Sequence, residues 1–182
     1  MDTIKWTLDA AHSEIQFKVK HLMISTVTGQ FNKFEGSVES EGNNFSTAKA
    51  FVSIDVNSIS TNNEQRDQHL RTNDFFDAEN FPKLTFESVK IVPGDNENYK
   101  IHGALTMKGV SKDIAFEAEV SEVIKDPWGN ERIGISANGK LNRKDFGVSF
   151  SMLTETGGIA LGEEVKFLIN TEFVRQTQIT SN

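Results

Sequence analysis

The sequence predicts an all-β protein, an antiparallel sheet closed on itself with one short helical segment covering an end. Three observations carry this. About eight or nine segments alternate apolar and polar residues with period two, the spacing at which a half-buried strand turns one face to a core. Clusters of glycine, asparagine and proline separate them at hairpin distances. A single stretch, Asn57 to Phe86, abandons the alternation and reads as a helix followed by aromatic residues.

Ile4 to Asp9 is a short strand, and His12-Ser13 is the turn out of it. From Ser13 to His21, Ile15, Phe17 and Val19 face one way, opposite Glu14, Gln16, Lys18 and Lys20. Leu22-Met23-Ile24 is a brief apolar run ahead of a turn over Ser25 to Gly29. Phe31 to Glu39 forms the next strand, where Phe34 and Gly36 fall out of step with Phe31 and point to a bulge or tight bend. Ala48 to Val56 puts Ala50, Val52, Ile54 and Val56 on one face.

In the interruption, Thr61 and Glu64 have capping-box spacing, which places a helix start there. Leu70 is the only strongly apolar residue between Asn62 and Asp74, so the helix cannot bury a broad face. It is expected to lie across the barrel as a lid, with Arg66 and Asp67 in a salt bridge that anchors it or with Arg66 meeting a polar head group. Phe75, Phe76 and Phe81 follow it.

Beyond the lid, Pro82 opens a strand with Leu84, Phe86 and Ser88 inward, and Pro93 to Asn96 is a turn. Tyr99 to Lys108 carries Ile101, Gly103, Leu105 and Met107 on one face before Gly109 turns the chain. Ile114, Phe116, Ala118 and Val120 mark the next strand, and Asp126 to Asn130 a hairpin loop. Ile133, Ile135, Ala137, Gly139 and Leu141 continue the pattern. Arg143 to Phe150 is irregular and Thr156-Gly157-Gly158 opens a loop. Val165, Phe167, Ile169, Thr171 and Phe173 form the last strand. Residues 1–175 thus make one domain, and Gln176 to Asn182 is a polar tail that frays. Small inward residues (Ala50, Gly103, Ala137, Gly139) leave room, and a barrel of about eight strands can hold one small ligand. A hollow interior is expected.

Composition narrows the function. The chain carries 14 phenylalanines against one tyrosine and two tryptophans, rings without polar tips that suit a dry interior. A formal charge of −7 and no evident cluster of lysine and arginine argue against nucleic acid and anionic membrane surfaces as partners. With no cysteine there is neither a disulfide framework nor a thiolate site. No apolar run reaches the roughly 18 residues of a bilayer span, so stable membrane insertion is not expected. The N-terminus enters a strand pattern at once, which fits a cytoplasmic protein; a removed signal peptide would leave the same start and imply the periplasm.

Chemistry is weakly signalled. His12, His21, His69 and His102 have neither helical i, i+4 metal spacing nor a zinc pattern, and hydrogen-bonding roles are expected for them. No G-x-S-x-G elbow is present, and no pair of carboxylates stands out. The glycines from Gly157 to Gly162 lack the lysine of a phosphate loop. No metal, cofactor or catalytic residue is assigned.

Several motifs nevertheless agree in order. Trp6-x-x-Asp9-x-x-His12-Ser13, then Phe17 to Leu22, then Gly29-x-Phe31-x-x-Phe34-x-Gly36 resembles the opening of the YceI-like family of lipid-binding proteins. Ser58-Ile59-x-Thr61-x-Asn63-x-x-Arg66-Asp67-x-His69-Leu70, Asp74 to Asp77 and Phe81 to Ser88 look like its central block. Gly103 to Val110 and Arg143 to Val148 match later stretches, so the resemblance covers Trp6 to Phe173. It implies a lipocalin-like extended antiparallel β-barrel whose lumen holds a long apolar lipid, a polyisoprenoid in some members and a fatty amide in others. It also implies homodimers in many members, often periplasmic, and no family-wide catalysis.

On this reading the tunnel wall comprises Phe17, Val19, Phe31, Phe34, Val52 and Ile54, joined by Leu70, Phe75, Phe76, Phe86 and Leu105. Phe116, Ile135, Phe146 and Phe167 complete it. His21, Arg66, Asp67 and His69 are placed at the ligand head or on the lid. The alternative from another class is an enzyme acting on a lipid or quinone-like substrate at the mouth, using His69 with Asp67.

Overall fold

In the computed structural model, residues 2–150 and 161–177 are described. Among them the strands are β1 (Thr3–Leu8), β2 (Glu14–His21), β3 (Ser25–Phe31), β4 (Phe34–Glu41) and β5 (Asn44–Asp55). The two-residue β6 (Ile59–Ser60) leads into helix α1 (Glu64–Leu70). Next come β7 (Lys83–Pro93), β8 (Asn98–Met107), β9 (Val110–Val120), β10 (Ile124–Lys125), β11 (Glu131–Asn142) and β12 (Leu161–Arg175). Every pairing is antiparallel, in the order β10-β11-β9-β8-β7-β5-β4-β1-β12-β2-β3-β6. β11 also pairs with β12 from Arg132↔Val174 to Asn142↔Glu164, which closes an eight-stranded barrel.

β12 is the spine. Its C-terminal end pairs with β1 and its N-terminal two-thirds with β2, so β1 and β2 act as one strand broken in the middle. The break has a local cause. Asp9 caps a 3-10 turn (Ala10–His12) by accepting from Ala11 N–H, and Ser13 Oγ donates to Asp9 O at 2.7 Å. Arg132 then binds Asp9, Asp126 and Glu172, at 2.8, 2.8 and 3.2 Å, tying the break to the β10–β11 hairpin.

The two ends differ. Beside that hairpin the barrel is plugged by fully buried Trp6 against Phe45, with Phe45 against Tyr99. The opposite end carries the β2–β3 hairpin, the β8–β9 turn and the lid. Lys108 Nζ, in that turn, donates to Asn73 O at 2.7 Å and straps the lid down.

Three local expectations change. Phe31 and Phe34 lie on different strands: β3 ends, Asn32-Lys33 turns, and β4 begins, so no bulge is needed. Ser25 to Gly29 is strand, whereas Leu22-Met23-Ile24 is the turn, with Leu22 and Met23 at φ of 52° and 56°. The helix is capped by Asn63, whose side chain accepts from Arg66 N–H at 3.0 Å, in place of Thr61. The loop over Thr156-Gly157-Gly158 and the tail from 178 lie outside the described residues.

Candidate functional site

Inside the barrel lies a cavity of about 460 Å³, within the range of small-molecule pockets. Its wall includes residues of β12 from Leu161 to Phe173, roughly 40 Å of strand at about 3.3 Å per residue. Nearly all of the lining is apolar. The polar exceptions near the lid are His21, Thr61, Arg66, His69 and Arg143, while Gln16 and Thr171 lie further along.

The wall uses glycine in a way the sequence reading did not foresee. A Cβ on Gly139 would sit 2.5 Å from Phe167 Cζ, one on Gly29 2.2 Å from Phe17 Cζ, and one on Gly103 2.5 Å from Phe86 Cζ. These glycines are therefore not the source of the void. Each is covered by a phenylalanine ring that lies flat along the wall, an aromatic–glycine pairing known to stabilise sheets. Register puts Gly29, Phe17, Phe167 and Gly139 in one row across β3, β2, β12 and β11. The space lies in front of the rings.

Of the residues expected in the wall, Phe17, Val19 and Phe31 line the cavity from β2 and β3, and Val52 and Ile54 from β5. Leu70, Phe75 and Phe76 come down from the lid; Phe86, Leu105, Phe116, Ile135 and Phe167 line it from the remaining strands. Phe34 and Phe146 do not. Both are buried in the packed core outside the lining: Phe34 opens β4 with inward parity but falls short of the lumen, and Phe146 ends a 3-10 turn (Arg143–Phe146), where strand parity does not apply.

The lid is organised around Thr61, which is buried. Asp67 Oδ1 accepts from Thr61 N–H and Thr61 Oγ–H at 2.8 and 2.6 Å. Arg66 Nε donates to Thr61 Oγ and Arg66 Nη2 to Thr61 O, both at 2.7 Å. The Arg66–Asp67 salt bridge is replaced by this shared anchor, and Asp67 is absent from the lining. His69 does not pair with Asp67 either. Its Nε2 is 2.8 Å from Asp74 Oδ2, and its ring meets Phe75 and Phe150 edge-on at 5.0 Å each. The pair on which a catalytic reading leaned is not formed.

Arg143 is the group that sequence reasoning passed over. It is buried and lines the cavity, yet no carboxylate pairs with it among the described residues. Nε donates to Gly162 O, Nη1 to Val148 O and Phe150 O, and Nη2 to Leu161 O, at 2.7–3.2 Å. Desolvation pushes its pKa down, against the opposing field of Glu163. Asp9, His12 and Glu172 gather within 4.8 Å of one another at the plugged end, but Arg132 already supplies the positive charge there.

The sequence model of the YceI-like domain matches residues 6–173. The chain belongs to the YceI-like family. A UPF0312 protein of Staphylococcus aureus (strain N315) is 43% identical over 169 residues, covering 92% of this chain and 96% of that protein. The YceI protein of Campylobacter jejuni is 38% identical with a TM-score of 0.75, over 87% of this chain and 90% of that one. BcnA of Burkholderia cenocepacia shares the fold at 23% identity and a TM-score of 0.79, covering 91% and 98% of the two chains. A polyisoprenoid-binding domain from Saccharophagus degradans, implicated in plant cell wall breakdown, does so at 17% identity and 0.72, covering 94% and 98%.

Against this background the YceI-like motifs acquire physical readings. Asp9-x-x-His12-Ser13 is the strand break, with Asp9 Oδ2 2.9 Å from His12 Nδ1. Thr61-x-Asn63-x-x-Arg66-Asp67 is the lid anchor and its cap. Arg143-x-Asp145-Phe146-Gly147 is a 3-10 turn, closed by Gly147 at φ 75°, that turns a cation toward the cavity end.

Proposed function

We propose that this YceI-like domain binds one long-chain apolar lipid, an isoprenoid, isoprenoid quinone or fatty amide, in its barrel and carries, stores or sequesters it without chemical change. The observation behind this reading is the elongated cavity, apolar along its wall and polar near the lid. Burying a methylene is worth about 0.8 kcal/mol, so ten of them contribute roughly 8 kcal/mol, about micromolar affinity before ordering costs. His21, Arg66, His69 and Arg143 would then orient a polar head, while Asp67 holds the lid. The family, and a structural neighbour described as polyisoprenoid-binding, support lipid as the ligand class.

Native mass spectrometry after gentle extraction, followed by titration of the delipidated protein with prenyl lipids, tests the reading. A co-purifying apolar molecule, or saturable prenyl binding at one per barrel, is the expected result. A protein that is reproducibly empty and ignores added prenyl lipids refutes it.

A further inference from the structure

We infer that the tip of the β2–β3 hairpin, Leu22-Met23-Ile24, docks this protein on an anionic lipid bilayer beside the end of the cavity, where the lipid exchanges. The inference rests on the lipid-carrying reading above.

Leu22, Met23 and Ile24 are 40%, 68% and 83% exposed, three consecutive apolar residues in water. The turn does not ask for them. Ile24 N–H closes it onto His21 O at 3.0 Å, with both central residues at positive φ, a geometry that favours Asn-Gly and penalises side chains such as leucine and methionine. The chain therefore spends local stability to present apolar surface at this tip. His21, the residue before the tip, lines the cavity and pairs with Leu161, which lines it too. The tip therefore directly adjoins a residue pair that lines this end of the cavity.

Charge selects the occupant. Strand register sets Lys18 opposite Lys166 and Lys166 opposite Lys140 on the outer face, with Lys20 one step nearer the tip. Like charges directly opposite one another are unfavourable in a sheet unless something neutralises them. Lys140 meets Glu164 at 3.6 Å; Lys18, Lys20 and Lys166 form no ion pair among the described residues. This basic row exists in a chain of net charge −7 and is assembled from residues far apart in sequence. Anionic head groups would neutralise it, whereas a two-fold contact between copies would set lysines against lysines.

The test is flotation with vesicles of phosphatidylcholine alone and mixed with phosphatidylglycerol. The full chain is compared with the triple variant Leu22→Asn, Met23→Gly, Ile24→Thr, whose turn is the favoured Asn-Gly. Wild type is expected to float with the mixed vesicles and to lose binding in high salt. The triple variant should bind at least about tenfold more weakly, with thermal stability kept or raised. Lys18→Gln and Lys166→Gln should each weaken binding about fivefold. Trp128→Phe, at the far end of β12 and 81% exposed, should change nothing. Uptake of a soluble fluorescent prenyl probe in vesicle-free solution should be the same in wild type and triple variant, while its transfer from vesicles slows in the variant.

Undiminished flotation of the triple variant overturns the inference. So does wild type that sediments as a dimer and becomes a monomer on loss of the tip, which assigns the surface to a second copy. Wild type that floats but takes up no probe refutes the carrier reading and leaves the docking in place.

Discussion

Val52→Phe separates a hollow barrel from a filled one. Val52 is half-buried on β5, and the surface it retains faces the cavity. Phenylalanine adds four carbon atoms; at about 0.8 kcal/mol per buried carbon, with half of their surface finding contact, the empty protein gains about 1.5 kcal/mol. For a domain of this size that is a rise in Tm of roughly 3–6 °C. The same ring displaces about four methylenes of the ligand, roughly 3 kcal/mol, or about a hundredfold in affinity. Stability is read by thermal denaturation of delipidated protein and affinity by titration with a prenyl lipid. Opposite signs for the two are the prediction. A variant destabilised by 1–3 kcal/mol, the usual overpacking cost, would mean that no void faces Val52 and would refute the reasoning.

Gly139→Val should lower stability by about 1–3 kcal/mol, since its Cβ meets Phe167 Cζ at 2.5 Å and Phe116 Cβ at 3.0 Å; adding Phe167→Ala should return part of the loss in chemical denaturation, and strict additivity would exclude the contact as the cause. Thr61→Val removes the hydroxyl between Arg66 and buried Asp67 and should cost about 2 kcal/mol, with hydrogen exchange rising first in α1. For Arg132→Gln the effect depends on pH. Arg132 holds the Asp9 and Asp126 carboxyls below their ordinary value despite desolvation, so the stability it confers is fully present above about pH 4 and is lost as pH falls through the lowered folded values. Urea denaturation should show a wild-type advantage at pH 7 that shrinks toward pH 3; an equal advantage at both would exclude the ion pairs as its source.

Most of the barrel was legible because period two needs only neighbouring residues. Ile15, Phe17 and Val19 line the cavity as their alternation required. The errors occur where a local signal competes with a partner distant in sequence. Leu22-Met23-Ile24 reads as a run ahead of the turn because apolar residues seldom form a hairpin tip; the pairing of His21 with Ser25 is what makes it one. Thr61 and Asn63 are both good caps, and the choice falls to Asn63 because Asp67 reaches back and occupies Thr61. Phe34 has the right parity, but curvature of the sheet decides which inward residues reach the lumen; Phe146 ends a 3-10 turn, to which parity does not apply. The lysine row is a product of register, and the carbonyl cage of Arg143 closes between the exit of its 3-10 turn and the start of β12, so neither could be read from spacing.

Register also explains the bias toward phenylalanine. A ring on a concave wall either projects into the lumen or lies against a neighbour with no side chain. Opposite Phe17 and Phe167 the neighbours are Gly29 and Gly139, so the rings lie flat and the channel stays open. Tyrosine would fill the same place, but its hydroxyl would lie along a wall with few acceptors, and an unsatisfied polar group in a dry site is costly. Nine of the 14 phenylalanines line the cavity and the one tyrosine does not, as a wall both aromatic and dry requires. The lone Tyr99 fits the same logic: it packs edge-on against Phe45, in the plug at the closed end.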